Sequence, residues 1–304
     1  MVKKNYIIFS SLKFLFPKNK KSNIFAISED AFDNKFLFEN KYDKVVVSKS
    51  RWRNKKILSK DSKYIYDLNK RIIKKLCNNL NRIHKTNYTE KFWLILISPW
   101  SLRFIQIIFD RWFAIKTTIK KSKNLNSNFL IFKNHNYFIP LSAEEFVIFY
   151  RNDYWNQFIS QEIVNYLNTN IKIKNTFKSI KSKDISESVN YPKYKISFLN
   201  KVLKQLFKIF NVKKYKYFIY KTNLGSFNEL LLSLKLGQLP IFQNLDLNID
   251  KARADNNLRS NLFKGFKNTN NFENFLIKII CNHLPFLFLE RFSNLEMKMK
   301  YKNL

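Results

Sequence analysis

The stretch Phe92–Trp112 holds the residues whose types and spacing are best suited to chemistry. It contains three of the chain's 5 tryptophans. At about 100° per residue, Arg103, Gln106 and Asp110 fall on one face of a helix. Such a face is either the solvent side of an amphipathic helix or a cleft wall in which aromatic side chains support an arginine and a carboxylate. The cleft interpretation predicts Asp110 and Arg111 as a catalytic pair.

Arg111 is expected to point into the protein. It lies on the apolar line of Trp100 and Phe104, and an unpaired cation on such a face is costly. We therefore predict that it meets a carboxylate, a set of helix-end carbonyls or an anionic ligand, with Glu145 and Asp153 as the favoured internal partners. The alternative is an ion pair that only braces the helix.

The other candidate site residues are predicted to bind substrate, and most of them lie in loops. Ligands in parallel sheets bind outside the carboxyl ends of the strands, which points to the loops Ser10–Lys18, Ser48–Arg53 and Lys221–Ser226. The predicted substrate-binding residues are Lys18, Arg51, Arg53, Trp100, Arg103, Asn223 and Ser226. The three loop cations would hold a phosphate or carboxylate; the alternative for each is a solvated surface charge.

A metal centre is not predicted. The two cysteines, Cys77 and Cys281, are far apart, and the three histidines are isolated from one another. This spacing matches no metal-ligand motif. His84 and His135 are interpreted as structural polar residues.

The pattern of apolar residues predicts an α/β fold. Short β-like runs at Tyr6–Phe9, Ile24–Ile27 and Lys44–Val47 indicate a buried, mostly parallel sheet. Helical periodicity follows over Asp61–His84, and Thr89 is a candidate N-cap for the next helix. Pro99 should break or kink that helix.

Later segments complete the predicted organisation. A Rossmann-like sheet would carry a large helical insertion at about 60–168 and a mobile loop at about 168–192. A strand–loop–helix–strand unit is predicted at about 216–242, and two helices close the chain at about 272–282 and 285–299.

The charge of the chain has two interpretations. Lysines spread over the whole chain, with abundant Asn, Ile, Phe and Tyr, are expected of an AT-rich genome and a solvated surface, which is the favoured interpretation. The alternative is a basic surface that meets an anionic partner. The formal net charge is +34, yet only 10 of the 56 basic residues are arginines. Base and phosphate recognition in nucleic acid favours arginine, so nucleic acid is a less favoured partner than a membrane surface or a nucleotide-sugar. No uninterrupted apolar run reaches about 18 residues, so no spanning helix is predicted. A cytoplasmic location, with peripheral attachment to the inner membrane, is expected.

Several motifs resemble one family of transferases encoded with O-antigen and other surface-carbohydrate genes. The matching motifs are Trp93 with Ser98-Pro-Trp100, Phe104-Ile-Gln106, Phe109-Asp-Arg-Trp112, Leu80-Asn-Arg-Ile-His84, Asp153-Tyr-Trp-Asn156, Leu236-Gly-Gln-Leu-Pro240 and Leu289-Glu290. Three segments depart from the pattern. Phe14-Leu-Phe-Pro-Lys18 stands where a Glu-rich turn ending in Trp-Pro-Lys is expected. Ile27-Ser-Glu-Asp30 stands where Gly-Glu-Trp-Cys is expected, and Ser50-Arg-Trp-Arg-Asn54 where His-Trp-Asp-Asp-Arg is expected.

The resemblance implies a two-lobed, GT-B-like glycosyltransferase. Its amino-terminal lobe would shape the acceptor site and its carboxy-terminal lobe would hold a nucleotide-sugar donor. The His-Gly-Gly-type turn of the second lobe has no counterpart among the 3 glycines. Residues 1–304 are therefore expected to form a single amino-terminal lobe that holds no cofactor and is inactive alone. The implied partners are a surface-glycan precursor, lipid-linked, and a second polypeptide with the missing lobe.

Two other classes of function stay open at this point. One is a non-catalytic remnant of a split gene, which the missing second lobe favours. The other is a basic nucleic-acid-binding protein, which would bind with a steep dependence on salt.

Overall fold

A computed structural model describes residues 3–31, 42–132, 135–178, 228, 231–232, 235–236, 252–263 and 270–301. The chain divides into two compact units, residues 1–189 with 249–304 and residues 190–248. The first unit is described below. The second contains only the described residues 228, 231–232 and 235–236. The predicted unit at 216–242 falls mostly outside the described residues, and so do Asn223 and Ser226.

Five parallel strands form the sheet of the first unit. They are β1 (Asn5–Ile8), β2 (Asn23–Ala26), β3 (Lys44–Val47), β4 (Leu125–Ile131) and β5 (Lys172–Phe177), in the order β3-β2-β1-β4-β5. Neighbours pair in parallel, with Ile7 opposite Phe25 and Phe25 opposite Val46. The three strands predicted from apolar runs are confirmed.

The strand order is that of a Rossmann-like fold, so the α/β prediction is confirmed. The order reverses between β1 and β4, the position at which such sheets bind ligands. The range 60–168, predicted as a helical insertion, contains the central strand β4. Its helices are instead two crossovers, one from β3 to β4 and one from β4 to β5.

The first crossover is a pair of long helices, α1 (Lys55–His84) and α2 (Glu90–Lys121). Asn54 caps α1 by accepting from the backbone N–H groups of Lys56 and Ile57. Thr89 caps α2 by accepting from the N–H of Phe92, as predicted. Lys85, between the two helices, has a left-handed backbone (φ 54°).

Helix α2 passes through Pro99 without ending, so the predicted break is wrong. Proline removes the hydrogen bond to the carbonyl four residues earlier, here that of Ile95. Both residues are exposed, and the Ile95 side chain is 67% accessible. Water can solvate the freed carbonyl on that side, which explains why the helix continues.

Helix α2 is long and apolar enough to cross a membrane, and no other helix of the described residues is. Nearly half of its most apolar stretch, 44%, is buried inside the protein. Trp93, Trp100 and Phe104 have no accessible surface at all. These side chains lie on the part of α2 that packs against other helices of the unit.

The second crossover consists of α3 (Ala143–Phe149) and α4 (Asp153–Leu167). Ser142 caps α3 by accepting from the N–H of Glu145. Asn152 caps α4 by accepting from the N–H groups of Tyr154 and Trp155. The second cap starts a new helix, so the crossover contains two helices and not one.

Part of the predicted mobile loop at 168–192 is the edge strand β5. Its residues are almost all exposed on both faces, including Ile173 and Phe177. A strand without a buried face lacks the alternation of apolar and polar residues that reveals strands in a sequence. Residues 179–192 lie outside the described part of the chain.

The carboxy-terminal segment packs on the helical pair. It comprises α5 (Asn256–Asn261), α6 (Asn271–His283), a 3-10 turn at Phe286–Phe288 and α7 (Phe292–Tyr301). Arg259 forms a two-pronged ion pair with Glu290, with N···O distances of 2.7 and 2.8 Å. It also donates to the carbonyls of Cys281 and Leu284 at the end of α6. Nearly complete burial makes this pair an internal clamp.

The ring of His84 joins the helical pair to this segment. Its Nε2 donates to the carbonyl of Phe288 over 3.1 Å, and it stacks on Phe292 with ring centroids 4.4 Å apart. Burial lowers the pKa of His84. The structural interpretation of this histidine follows from these contacts.

A cleft pair around Asp110 and Arg111

The first cleft opens at the carboxyl ends of β2 and β3, and we call it the strand-end cleft. Its volume is about 290 Å³. Two strand-end segments line it, Ile27–Glu29 after β2 and Ser48–Arg53 after β3, and α2 closes it with Asp110, Arg111, Phe113, Ala114 and Thr117. Chain segments that follow neighbouring parallel strands meet at one edge of the sheet, so this position follows from the topology.

Ser48 fixes the second of these segments to α2. Its buried hydroxyl lies 2.7 Å from the Thr118 hydroxyl, which in turn donates to the carbonyl of Ala114. This contact sets the distance between the strand end and the helix that carries Asp110 and Arg111.

Arg51 is anchored on α1. Its guanidinium donates to Asp61, whose side chain is 7% exposed, and lies 4.0 Å from the ring centroid of Phe113. The indole N–H of Trp52 donates to the same carboxylate over 2.9 Å. Arg51 therefore gives the cleft a fixed positive charge, because its side chain cannot swing out without leaving Asp61 unpaired.

The lining of the strand-end cleft contains four cations and two carboxylates. Its cations are Lys49, Arg51, Arg53 and Arg111, and its carboxylates are Glu29 and Asp110. Each of the three arginines has a carboxylate partner: Arg51 pairs with Asp61, Arg53 with Glu29 at the exposed rim, and Arg111 with Asp110. The lining also includes the hydroxyls of Ser28, Ser48, Ser50 and Thr117. Arginine and hydroxyl donors around a concave surface favour an anionic ligand such as phosphate or carboxylate.

A second cleft of about 550 Å³ lies between α2 and α4, and we call it the helix cleft. It is lined by Trp52, Gln106, Ile107, Asp110, Arg111, Tyr150, Arg151, Asp153 and Asn156. Trp52, Asp110 and Arg111 line both clefts. The predicted pair thus stands at the boundary between a basic cleft and one lined by aromatic, amide and acidic groups.

Arg111 is held by two oxygen partners. Its Nη1 donates to Oδ2 of Asp110 over 3.0 Å, and its Nε and Nη2 donate to Oδ1 of Asn156 over 3.4 and 3.3 Å. Asn156 is fixed in turn, because its Nδ2 donates to the carbonyls of Tyr150 and Asn152. A guanidinium has five N–H donors, so two remain beyond these three contacts.

The prediction that Arg111 turns inward to a carboxylate is correct in part. Its side chain is only 15% exposed, but the carboxylate is that of Asp110 and not of Glu145 or Asp153. Those two acids accept hydrogen bonds from other residues. Glu145 accepts from the N–H of Leu141, and Asp153 accepts from the N–H and hydroxyl of Ser11 at 3.1 and 2.5 Å.

The contact between Ser11 and Asp153 connects the end of β1 to the start of α4. Next to it, Ser10 donates to Oε1 of Gln157 over 2.9 Å. These bonds lie beside the reversal of strand order between β1 and β4. They hold the helix cleft in place against the sheet.

The other predicted site residues separate into different surroundings. Trp100 is fully buried and stacks on Phe104, so it supports the core and cannot contact a ligand. Arg103 and Lys18 are exposed and line neither cleft. Arg103 lies 5.6 Å from the ring centroid of Tyr150, which does line the helix cleft.

Several lining residues were not singled out from the sequence. Glu29, Lys49, Trp52 and Asn156 have no individual motif that marks them. Trp52 and Asn156 do belong to segments that were compared with the family pattern. Of the three segments that depart from that pattern, Ile27–Asp30 and Ser50–Asn54 contribute residues to the strand-end cleft, and Phe14–Lys18 does not.

Comparison of the sequence with known proteins identifies its family. Residues 9–303, nearly the whole chain, match the model of the LIC12162 family transferase. No curated protein matches the chain, and no solved structure does. The match to a single family model over almost the full sequence shows that the chain belongs to the LIC12162 family of transferases.

Proposed function

We propose that this chain forms the acceptor-side lobe of a glycosyltransferase-like enzyme of bacterial surface-polysaccharide (O-antigen) biosynthesis. The enzyme would move a sugar-like group from a nucleotide-sugar onto a surface-glycan precursor, which is lipid-linked. The observation that carries the proposal is the position of Asp110 and Arg111, shared by two clefts at the ligand-binding edge of a Rossmann-like sheet.

The two clefts suit the two ends of such an acceptor. The strand-end cleft, with four cations and two carboxylates, would hold the phosphate of a lipid-linked precursor. The helix cleft offers Tyr150 and Gln106 to a sugar ring, with stacking and hydrogen-bond partners of the kind that small-molecule sites use.

Asp110 would act as the general base. Sugar transfer requires removal of a proton from the attacking hydroxyl, and a carboxylate within hydrogen-bond reach does this. Arg111 would hold the Asp110 carboxylate in its orientation, and its two remaining N–H donors would bind the negative charge of the substrate.

We propose that a partner polypeptide supplies the groups that bind the nucleotide-sugar donor. The sequence contains no glycine-rich turn of the kind that cradles phosphates. We therefore expect the purified 304-residue protein to show no turnover of nucleotide-sugar by itself.

The proposal is tested in cells whose only copy of the gene carries Arg111→Ala or Asp110→Asn. Both should lose the surface polysaccharide on gels of cell-surface glycan. Lys120→Ala, an exposed position on the same helix outside both clefts, is the control and should keep it. Normal polysaccharide in the Asp110→Asn strain, with the protein present at normal level, would overturn the proposal.

A further inference from the structure

The exposed face of α1 carries a row of lysines. Lys56, Lys60, Lys63, Lys70 and Lys74, here named the basic stripe, are all exposed. At 100° per residue they fall within an arc of about 80°, and at 1.5 Å per residue they extend over about 27 Å. The opposite face of α1 is buried against the protein core.

The helix only partly neutralises the stripe, because the exposed Asp67 lies within the same arc. Lys55–Lys75 contains eight basic residues and two aspartates, and one of these, Asp61, is buried beneath Arg51. Within the described residues, Lys56, Lys60, Lys63 and Lys74 make no salt bridge. Like charges four residues apart, as in Lys56 with Lys60 and Lys70 with Lys74, repel each other and destabilise a helix. An anionic surface laid along the stripe would relieve this repulsion.

An exposed aromatic residue lies beside the stripe. Tyr66 is 51% exposed, and Nζ of Lys70 lies 4.4 Å from its ring centroid. Tyrosine with its apolar ring and polar hydroxyl is enriched at the boundary between membrane and water. Lysine carries the strongly hydrated point charge that supports diffuse attraction, whereas nucleic-acid recognition favours arginine.

We infer that the basic stripe of α1 is the surface by which this protein binds an anionic lipid bilayer. The attraction is Coulombic and needs no inserted helix. Because α1 begins directly after the segment Arg51–Arg53, the stripe starts at the mouth of the strand-end cleft. Binding along it would bring that cleft close to lipid headgroups. The inference does not depend on the proposed transferase activity.

The experiment compares two variants of equal charge. The stripe variant is Lys56→Gln, Lys60→Gln, Lys63→Gln and Lys74→Gln, since glutamine favours helix nearly as well as lysine. The control removes four exposed lysines elsewhere, as Lys120→Gln, Lys121→Gln, Lys172→Gln and Lys174→Gln. Circular dichroism checks that all three proteins keep the same helix content. Binding is measured by co-sedimentation with vesicles of phosphatidylcholine containing about one third phosphatidylglycerol.

The wild-type protein should bind these vesicles and dissociate from them as the salt concentration rises to about 0.5 M. It should not bind vesicles of pure phosphatidylcholine. The stripe variant should bind at least about 50-fold more weakly, and the control within about fivefold of wild type. Equal losses in both variants would mean that net charge alone acts and would overturn the inference. It would equally fail if a duplex oligonucleotide bound tighter than the vesicles and the stripe variant lost that binding.

Discussion

Arg111 donates to the carboxylate of Asp110, its own neighbour in the chain, over 3.0 Å. Adjacent side chains on a helix leave it about 100° apart. The long arginine side chain closes this gap by turning back, and Asn156 holds it in that position from the neighbouring helix. The pair is thus oriented before any ligand arrives, which is the condition for efficient recognition and catalysis.

Removal of the Arg111 side chain should weaken the fold moderately. Arg111→Ala deletes three hydrogen bonds of a side chain that is 15% exposed, and leaves Asp110 without this partner. We expect a loss of about 1–3 kcal/mol in the free energy of unfolding, measured by urea denaturation. Lys120→Ala should stay within about 0.5 kcal/mol of wild type. An unfolding midpoint equal to wild type would show that Arg111 is an unconstrained surface residue.

The Arg259–Glu290 pair should be much more sensitive. Arg259→Met removes one member of a buried ion pair and leaves the Glu290 charge uncompensated, for an expected loss of about 3–5 kcal/mol. The double variant with Glu290→Met removes that charge and should recover about 1–2 kcal/mol of this loss. A double variant less stable than the single one would mean that Glu290 has other essential partners.

The environment of His84 predicts an acid sensitivity of the fold. Burial lowers the pKa of this histidine from its usual 6.5, so the unfolded chain binds the proton more readily than the folded one. The free energy of unfolding should therefore decrease as the pH falls below about 6.5 and increase again as the pH is raised towards that value. His84→Gln keeps a donor for the Phe288 carbonyl but cannot titrate. Its stability, from thermal melts between about pH 5 and 8, should change less with pH than that of wild type. An unchanged slope would assign the acid sensitivity to other groups.

The sheet could be predicted from the sequence because three apolar runs of strand length mark β1, β2 and β3. The strand β5 could not, since an exposed edge strand has no buried face to leave a pattern. The position of the site followed from the rule that ligands bind at strand carboxyl ends, and the segment Ser48–Arg53 was found in this way. The partner of Arg111 was missed, because helical-wheel geometry places side chains by their Cβ direction and ignores the reach of a long arginine.

Continuity of α2 through Pro99 also depends on information that the helix sequence lacks. A proline ends a helix when the freed carbonyl is buried, and the exposure of Ile95 is fixed only by packing against α1. The surroundings of Trp100 could not be predicted from the sequence either. The sequence suggests a cleft aromatic, but its full burial against Phe104 makes it part of the core.

The most direct test of the central claim is a transfer assay that distinguishes loss of the Asp110 carboxylate from loss of the folded structure. Membranes of a strain that lacks the gene supply the acceptor and any second polypeptide. Purified protein is added to these membranes together with labelled nucleotide-sugars. The measurement is the amount of labelled sugar incorporated into extracted lipid. Wild-type protein should restore incorporation, and Asp110→Asn, folded and equally stable, should be at least about 100-fold slower, as expected when a general base is lost. Incorporation by Asp110→Asn at the wild-type rate would contradict the account.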